Sequence, residues 1–237
     1  MMIIDGHVFL GKTIYMEQSP ETLIANMDKS SVDLSVVVAP PPGPFYTEVN
    51  AYVLEAVKKH PGRLAALYRA NPHLEGEADR FREALEQGFA GLQLDPTNDG
   101  YGVGAPMMDP LIEAAKENGA PVYIHSGDSI FCPPEAVADF ASRFQEVNFV
   151  TSQSRRAYRA AKGCGNLYLM TRPFPTLAFQ RGYADNINLD RLIFASEAPL
   201  GNLELELKGV ELSELEDETR DKILGRNLRR ILHIPRD

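Results

Sequence analysis

Tryptophan is absent from this sequence, and cysteine occurs only twice, as Cys132 and Cys164. Two cysteines so spaced make neither a zinc knuckle nor a disulfide framework, so they read as free thiols in a reducing, cytoplasmic setting. Positive charge is also scarce: 24 Lys and Arg stand against 33 Asp and Glu, a net charge of −9. The basic residues are scattered rather than gathered into a stripe, which argues against nucleic acid or an anionic membrane surface as partner. No apolar run approaches the ~18 residues of a transmembrane helix. The opening "MMIIDGHV" has no basic region and runs straight into strand-like sequence, so no signal peptide is expected. No G-x-G-x-x-G follows the first apolar run and there is no P-loop, which removes the common nucleotide-binding signatures.

What is present is a regular alternation. Short aliphatic runs, "MIIDGHVF", "LSVVVAP", "LAALYRA", "GLQLDP", "PVYIH", "NFVTSQ", "NLYLMT" and "RLIFAS", are each followed by a stretch of helical periodicity. Nearly continuous apolar strands are what a parallel sheet buried on both faces requires. Eight such units in one chain of 237 residues predict a single-domain α/β protein, a (β/α)₈ TIM barrel spanning 1–237. The alternative, a doubly wound open sheet, normally uses fewer units and a glycine-rich first turn. Ser19-Pro20 has the form of a helix start, and Gly88 and Gly119 stand where helices should stop. "APPPGPFYTE" (39–48) reads as a stiff loop, "TNDGYGVGAP" (97–106) as a glycine-rich loop over the fourth strand end, and "TLAFQRGYADN" as a helix. "ELELKGVELSELEDETRD" reads as a solvated helical region.

In such barrels the chemistry sits at the carboxyl ends of the strands. His7 ends the first strand, Arg69 and Asn71 the third, Asp95 the fourth, and His125 the fifth, with Ser126, Gly127 and Asp128 directly behind it. Gln153 ends the sixth, Arg172 follows the seventh and Glu197 ends the eighth. Asp5 is read as a structural brace of the first strand, and Asp95, before Pro96, more as a turn residue than a site residue.

The order "IIDGH", "RANP", "GFAGLQLDP", "PVYIHSG", "NLYLMT", "RLIFASEAP", "ILGRNLRRIL" resembles the amidohydrolase-related family over nearly the whole chain. That family includes aminocarboxymuconate semialdehyde decarboxylase, hydroxybenzoate decarboxylases and pyrone dicarboxylate lactonase. The resemblance implies Asp-x-His-x-His at the end of strand one, a His after strand five, usually a His after strand six and an Asp after strand eight. Here His7 matches the first His, Phe9 stands in place of the second, His125 is kept, Gln153 replaces the strand-six His and Glu197 the Asp.

Three readings follow from this altered set. In the first, His7, His125 and Glu197 hold one divalent ion, Zn²⁺, Mn²⁺ or Fe²⁺, for hydrolysis or non-oxidative decarboxylation of a small carboxylated substrate. His125, Glu197 and Asp128 are then the catalytic candidates, and Arg69, Asn71, Gln153 and Arg172 contact the substrate. In the second, the enzyme is a metal-free hydrolase or lactonase with Glu197 or Asp128 as base and His125 as acid or oxyanion donor. In the third, the barrel is a non-catalytic relative that binds a ligand or a partner. The resemblance also implies a homo-oligomer.

Overall fold

The computed structural model describes residues 2–41, 43, 45–126, 129–152, 154–172, 188–213 and 215–234. Asp128, Gln153 and the helix expected at "TLAFQRGYADN" therefore lie outside the described residues. Eight parallel strands form one sheet in sequence order. They are β1 (Ile4–Phe9), β2 (Leu34–Val38), β3 (Leu64–Arg69), β4 (Phe89–Leu94), β5 (Val122–Ile124), β6 (Phe149–Thr151), β7 (Leu167–Met170) and β8 (Leu192–Ile193). Between them run α1 (Pro20–Lys29), α2 (Thr47–Lys59), α3 (Glu77–Gln87), α4 (Asp109–Glu117), α5 (Pro134–Ser142) and α6 (Arg155–Ala161), with α7 (Leu203–Glu211) after β8. This is the single-domain TIM barrel that the alternation predicts.

The barrel closes through backbone bonds between β1 and the segment that follows β8. Gly6 N donates to Phe194 O at 2.8 Å, Glu197 N to His7 O at 2.9 Å and Phe9 N to Ala198 O at 2.8 Å. A side chain at Gly6 would collide with Ile193 and with Phe194 O, at 2.6 and 2.8 Å, so this seam requires glycine there. Opposite, β1 carries one extra residue: Asp5 pairs with Ser35, but Val8 pairs with Val37. Such a bulge re-aims side chains near its site, and here His7 lies within it.

One hydrophobic cluster fills the barrel, with Ile4, Phe9, Val36, Val38, Leu67, Tyr123, Val150, Met170 and Ile193 among its members. The larger cluster lies between the strands and the surrounding helices, from Leu23 and Met27 of α1 to Leu203 and Leu207 of α7. Helix stops agree with the sequence: Ser19 caps α1 by accepting from Thr22 N, and Gly88, in the left-handed region, ends α3. Both cysteines are unpaired and buried, and no described helix is long and apolar enough to cross a membrane.

Two loop readings need correction. The stretch 97–106 is not wholly irregular, because Pro96–Asp99 forms a helical turn capped by Asp95, which accepts from Asn98 N. The acidic stretch after Asn202 is not simply solvated: Leu207 and Val210 of α7 are buried, and Glu206 turns inward to an arginine at the barrel mouth.

Candidate functional site

Polar side chains gather at the carboxyl ends of the strands in two groups. On the β3–β5 side, Arg69 is fully buried, with Nη2 donating to Asp95 Oδ2 at 2.5 Å and Nη1 to Ala39 O at 3.1 Å. Its guanidinium carbon stands 4.7 Å from the Tyr46 ring centre, a cation–π arrangement. The Tyr46 hydroxyl donates to Asp99. Asp95 thus caps a helical turn and balances a buried cation at once. Burial works to raise its pKa, but Arg69, His125 and the Asn98 hydrogen bonds outweigh it and hold the carboxyl below its ordinary range. Asp99 goes the other way: burial lifts it to about 6, against the pull of Tyr46 and Arg69.

On the seam between β8 and β1, Arg172 Nη1 donates to Glu197 Oε2 at 3.2 Å and Nη2 to Leu200 O at 3.1 Å. Its Nε lies 3.3 Å from Glu206 Oε1. Glu197 sits at a positive φ of 51°, a conformation uncommon for a non-glycine residue. Its other oxygen, Oε1, is buried with no hydrogen-bond partner among the described residues. Below it, Asp5 accepts from Ser196 N at 2.8 Å and is hydrogen-bonded to Ser196 Oγ at 2.5 Å, the bracing role expected of it. Burial, only partly offset by these bonds, raises Asp5 to about 7.

His7 lies between the two groups. It is fully buried, 6.4 Å from His125, 4.9 Å edge-on from Phe9 and 6.0 Å from Tyr123, ring centre to ring centre. Its Nε2 is 3.1 Å from Gln93 Oε1, and its Nδ1 has no partner among the described residues. Burial first, and the neighbouring His125 second, push its pKa down to about 3, so the ring is neutral at any ordinary pH. Phe9, where the resemblance implies a second histidine, is a buried phenyl ring that offers no lone pair. His125, half-buried, follows β5, its N–H bonded to Leu94 O at 3.0 Å. Beside it Thr151 Oγ1 donates to Ile124 O at 2.7 Å and accepts from Ser126 Oγ at 2.8 Å.

The expected ligand set was tested against this geometry. Among the described residues no three His, Cys, Asp or Glu side chains come together as a group able to hold a metal ion. His7 and His125 are neighbours, but Glu197 is tied to a cation through Oε2, and a second positive charge beside that pair is unfavourable. A divalent ion does not fit these residues as they stand. Nor is either arginine an unpaired cation: Asp95 neutralises Arg69, while Glu197 and Glu206 flank Arg172. Asn71 is buried after β3, its Oδ1 accepting from His73 N at 3.1 Å. Arg156 pairs with Glu135 at 2.7 Å. Burial pushes the Cys132 thiol up to about 12, which makes it an inert thiol.

Three participants escaped the sequence reading: Gln93, Tyr46 and Glu206. A signal for the first was available, since in "GLQLDP" Gln93 shares a strand face with Asp95. Tyr46 and Glu206 reach their partners from neighbouring helical segments, which strand periodicity does not register.

Comparison with known proteins is consistent with this architecture. The chain superposes on 5-carboxyvanillate decarboxylase LigW from Sphingomonas paucimobilis with a TM-score of 0.77 at 14% identity, over 99% of each chain. It superposes on dihydroxybenzoic acid decarboxylase from Polaromonas sp. JS666, solved with manganese and 2-nitroresorcinol, with a TM-score of 0.79 at 14% identity, covering 100% of this chain and 98% of that one. An uncharacterized TIM-barrel protein from Bordetella bronchiseptica gives 0.77 at 20% identity, over 98% of this chain and 99% of that one. These likenesses establish a shared fold. No curated protein matches the sequence at a significant level. The family model described as Amidohydrolase matches residues 13–234, nearly the full length, and the chain belongs to that family.

Proposed function

We propose that this chain is a hydrolase of small esters or lactones that works without a bound metal ion, with Glu197 as its general base. The observation that carries the reading is the Arg172–Glu197 pair: one carboxylate oxygen is fixed, and the other is buried and unpartnered. Glu197 Oε1 takes a proton from water as the water oxygen bonds to the carbonyl carbon. The carbon–oxygen bond to the leaving group then breaks, and His125 supplies the proton that the departing oxygen needs. Neutral His7 accepts a hydrogen bond at Nδ1 rather than a proton. Arg172 acts through Glu197 by holding its Oε2, while backbone bonds to His7 O and from Gly201 N tie the Glu197 main chain. Asn71 and Gln153 are the proposed substrate contacts and Asp128 a further catalytic candidate, the last two outside the described residues; Arg69, fully buried against Asp95, is held back from any substrate.

A second reading, non-oxidative decarboxylation, is supported by the activities named for the two decarboxylases above. There a carbon–carbon bond breaks, carbon dioxide leaves, and the carbon takes a proton from the enzyme. In the fold's manganese-bound example an ion is present; here the donor set does not favour one.

The test is a panel of small aromatic and dicarboxylic esters and lactones, assayed by acid release with and without a chelator, with carbon dioxide followed in parallel. Chelator-resistant acid release, falling ~10²–10⁴-fold in Glu197→Gln, is the expected result. Turnover that a chelator abolishes, or carbon dioxide as the product, contradicts it.

A further inference from the structure

We propose that Gln93 is a positioning residue that fixes His7 in the Nε2–H tautomer and so makes the β8–β1 seam a subsite for a hydrogen-bond donor, such as a ligand hydroxyl. The amide of Gln93 is held at both ends. Its Nε2 lies 3.1 Å from Leu94 O, and its Oε1 lies 3.1 Å from His7 Nε2. Reversing the amide would set its oxygen against the Leu94 carbonyl oxygen, two acceptors with no proton between them. The Leu94 carbonyl therefore fixes which end of the amide faces the histidine. That end is an oxygen, which only accepts, so His7 Nε2 must carry the proton. In a neutral imidazole the other nitrogen is then a bare lone pair.

That nitrogen, Nδ1, is buried and unpartnered, and so is Glu197 Oε1. The two residues stand on adjoining strand ends, joined by the 2.9 Å bond from Glu197 N to His7 O. Both atoms accept. An unpaired buried acceptor is unfavourable, and a group that brings a proton relieves that cost where a carboxylate or ether cannot. The bulge in β1 presents the ring to Gln93, and Phe9 packs edge-on against it and limits its rotation.

The experiment is ¹⁵N NMR of the full chain labelled at histidine, with the His7 signals assigned by their loss in His7→Gln. The expected spectrum has pyrrole-type Nε2 and pyridine-type Nδ1. Gln93→Leu, which offers His7 no acceptor, loses that pattern to a mixture of tautomers. An Nδ1–H tautomer in the unaltered protein overturns the proposal, whether or not Gln93→Leu folds; so does a folded Gln93→Leu with an unchanged pattern. For the ligand class, phenol is compared with anisole, which has a similar shape but no donor. Phenol shifts the Nδ1 signal and anisole does not; equal responses, or none to phenol, overturn the subsite. The tautomer is a property of the resting protein, so a failed ester or lactone screen leaves it standing.

Discussion

The guanidinium of Arg172 rests against the bare Cα of Gly201. A Cβ built there would stand 2.6 Å from Arg172 Nε and would run into the carbonyl oxygen of Ser196. The ion pair that orients Glu197 therefore depends on a glycine four residues beyond it, whose own N–H bonds back to Glu197 O at 3.0 Å. Gly201→Ala is expected to displace Arg172 and to destabilise the fold by about 1–3 kcal/mol. Urea unfolding checks the second effect. Turnover compared with Arg172→Met checks the first, since both variants should lose activity alike.

Arg69 and Asp95 form a charge pair whose side chains are 0% and 1% exposed. Removing one partner strands the other, at a cost of about 3–5 kcal/mol. Arg69→Met and Asp95→Asn should each show it in denaturant unfolding. The double variant Arg69→Met with Asp95→Asn should recover part of the loss, and the double-mutant cycle it closes measures the coupling. Additive losses would mean that the pair is not coupled.

Asp99 gives stability a defined pH dependence. Its folded pKa, about 6, lies above its ordinary value of 3.8, so the folded state binds the proton more tightly than the unfolded chain. Its contribution is therefore fully present below about pH 4 and is lost as pH rises through 6. Partial exposure reduces the amount, to about 1–2 kcal/mol across that window. Asp99→Asn can still accept from Tyr46 and has no proton to lose. Relative to the unaltered protein it should gain stability between pH 4 and 7 and hold that gain above. Parallel curves of melting temperature against pH would contradict this.

Phe9 packs edge-on against His7, ring centres 4.9 Å apart. Fully buried in the barrel, it should cost about 3–5 kcal/mol on truncation in Phe9→Ala. His7 should also gain ring mobility, visible as broadening of its ring signals.

Much of this molecule was legible in its sequence because a parallel barrel writes itself as period. All eight apolar runs became strands in order; Arg69 closes β3 and Asp95 and His125 directly follow β4 and β5, whereas His7 lies inside β1 at its bulge and Glu197 four residues past β8. Pairings were less legible. Periodicity gives the face on which Gln93 lies, but not that it meets His7 across the barrel. Nor does it show that Glu206, in a stretch of alternating Leu and Glu, turns towards Arg172. Asp95 was read as a turn residue and is one, yet the same carboxylate also balances Arg69. A side chain with two partners is beyond any rule that assigns one role to one position.

Metal binding by the unaltered full chain is the most direct test of the central claim, that this mouth works by acid–base chemistry without a resident ion. The protein is incubated with excess Mn²⁺ or Zn²⁺, passed through gel filtration and measured by plasma mass spectrometry. The account predicts no stoichiometric ion. One ion per chain, retained through gel filtration and lost in both His7→Gln and Glu197→Gln, would contradict it.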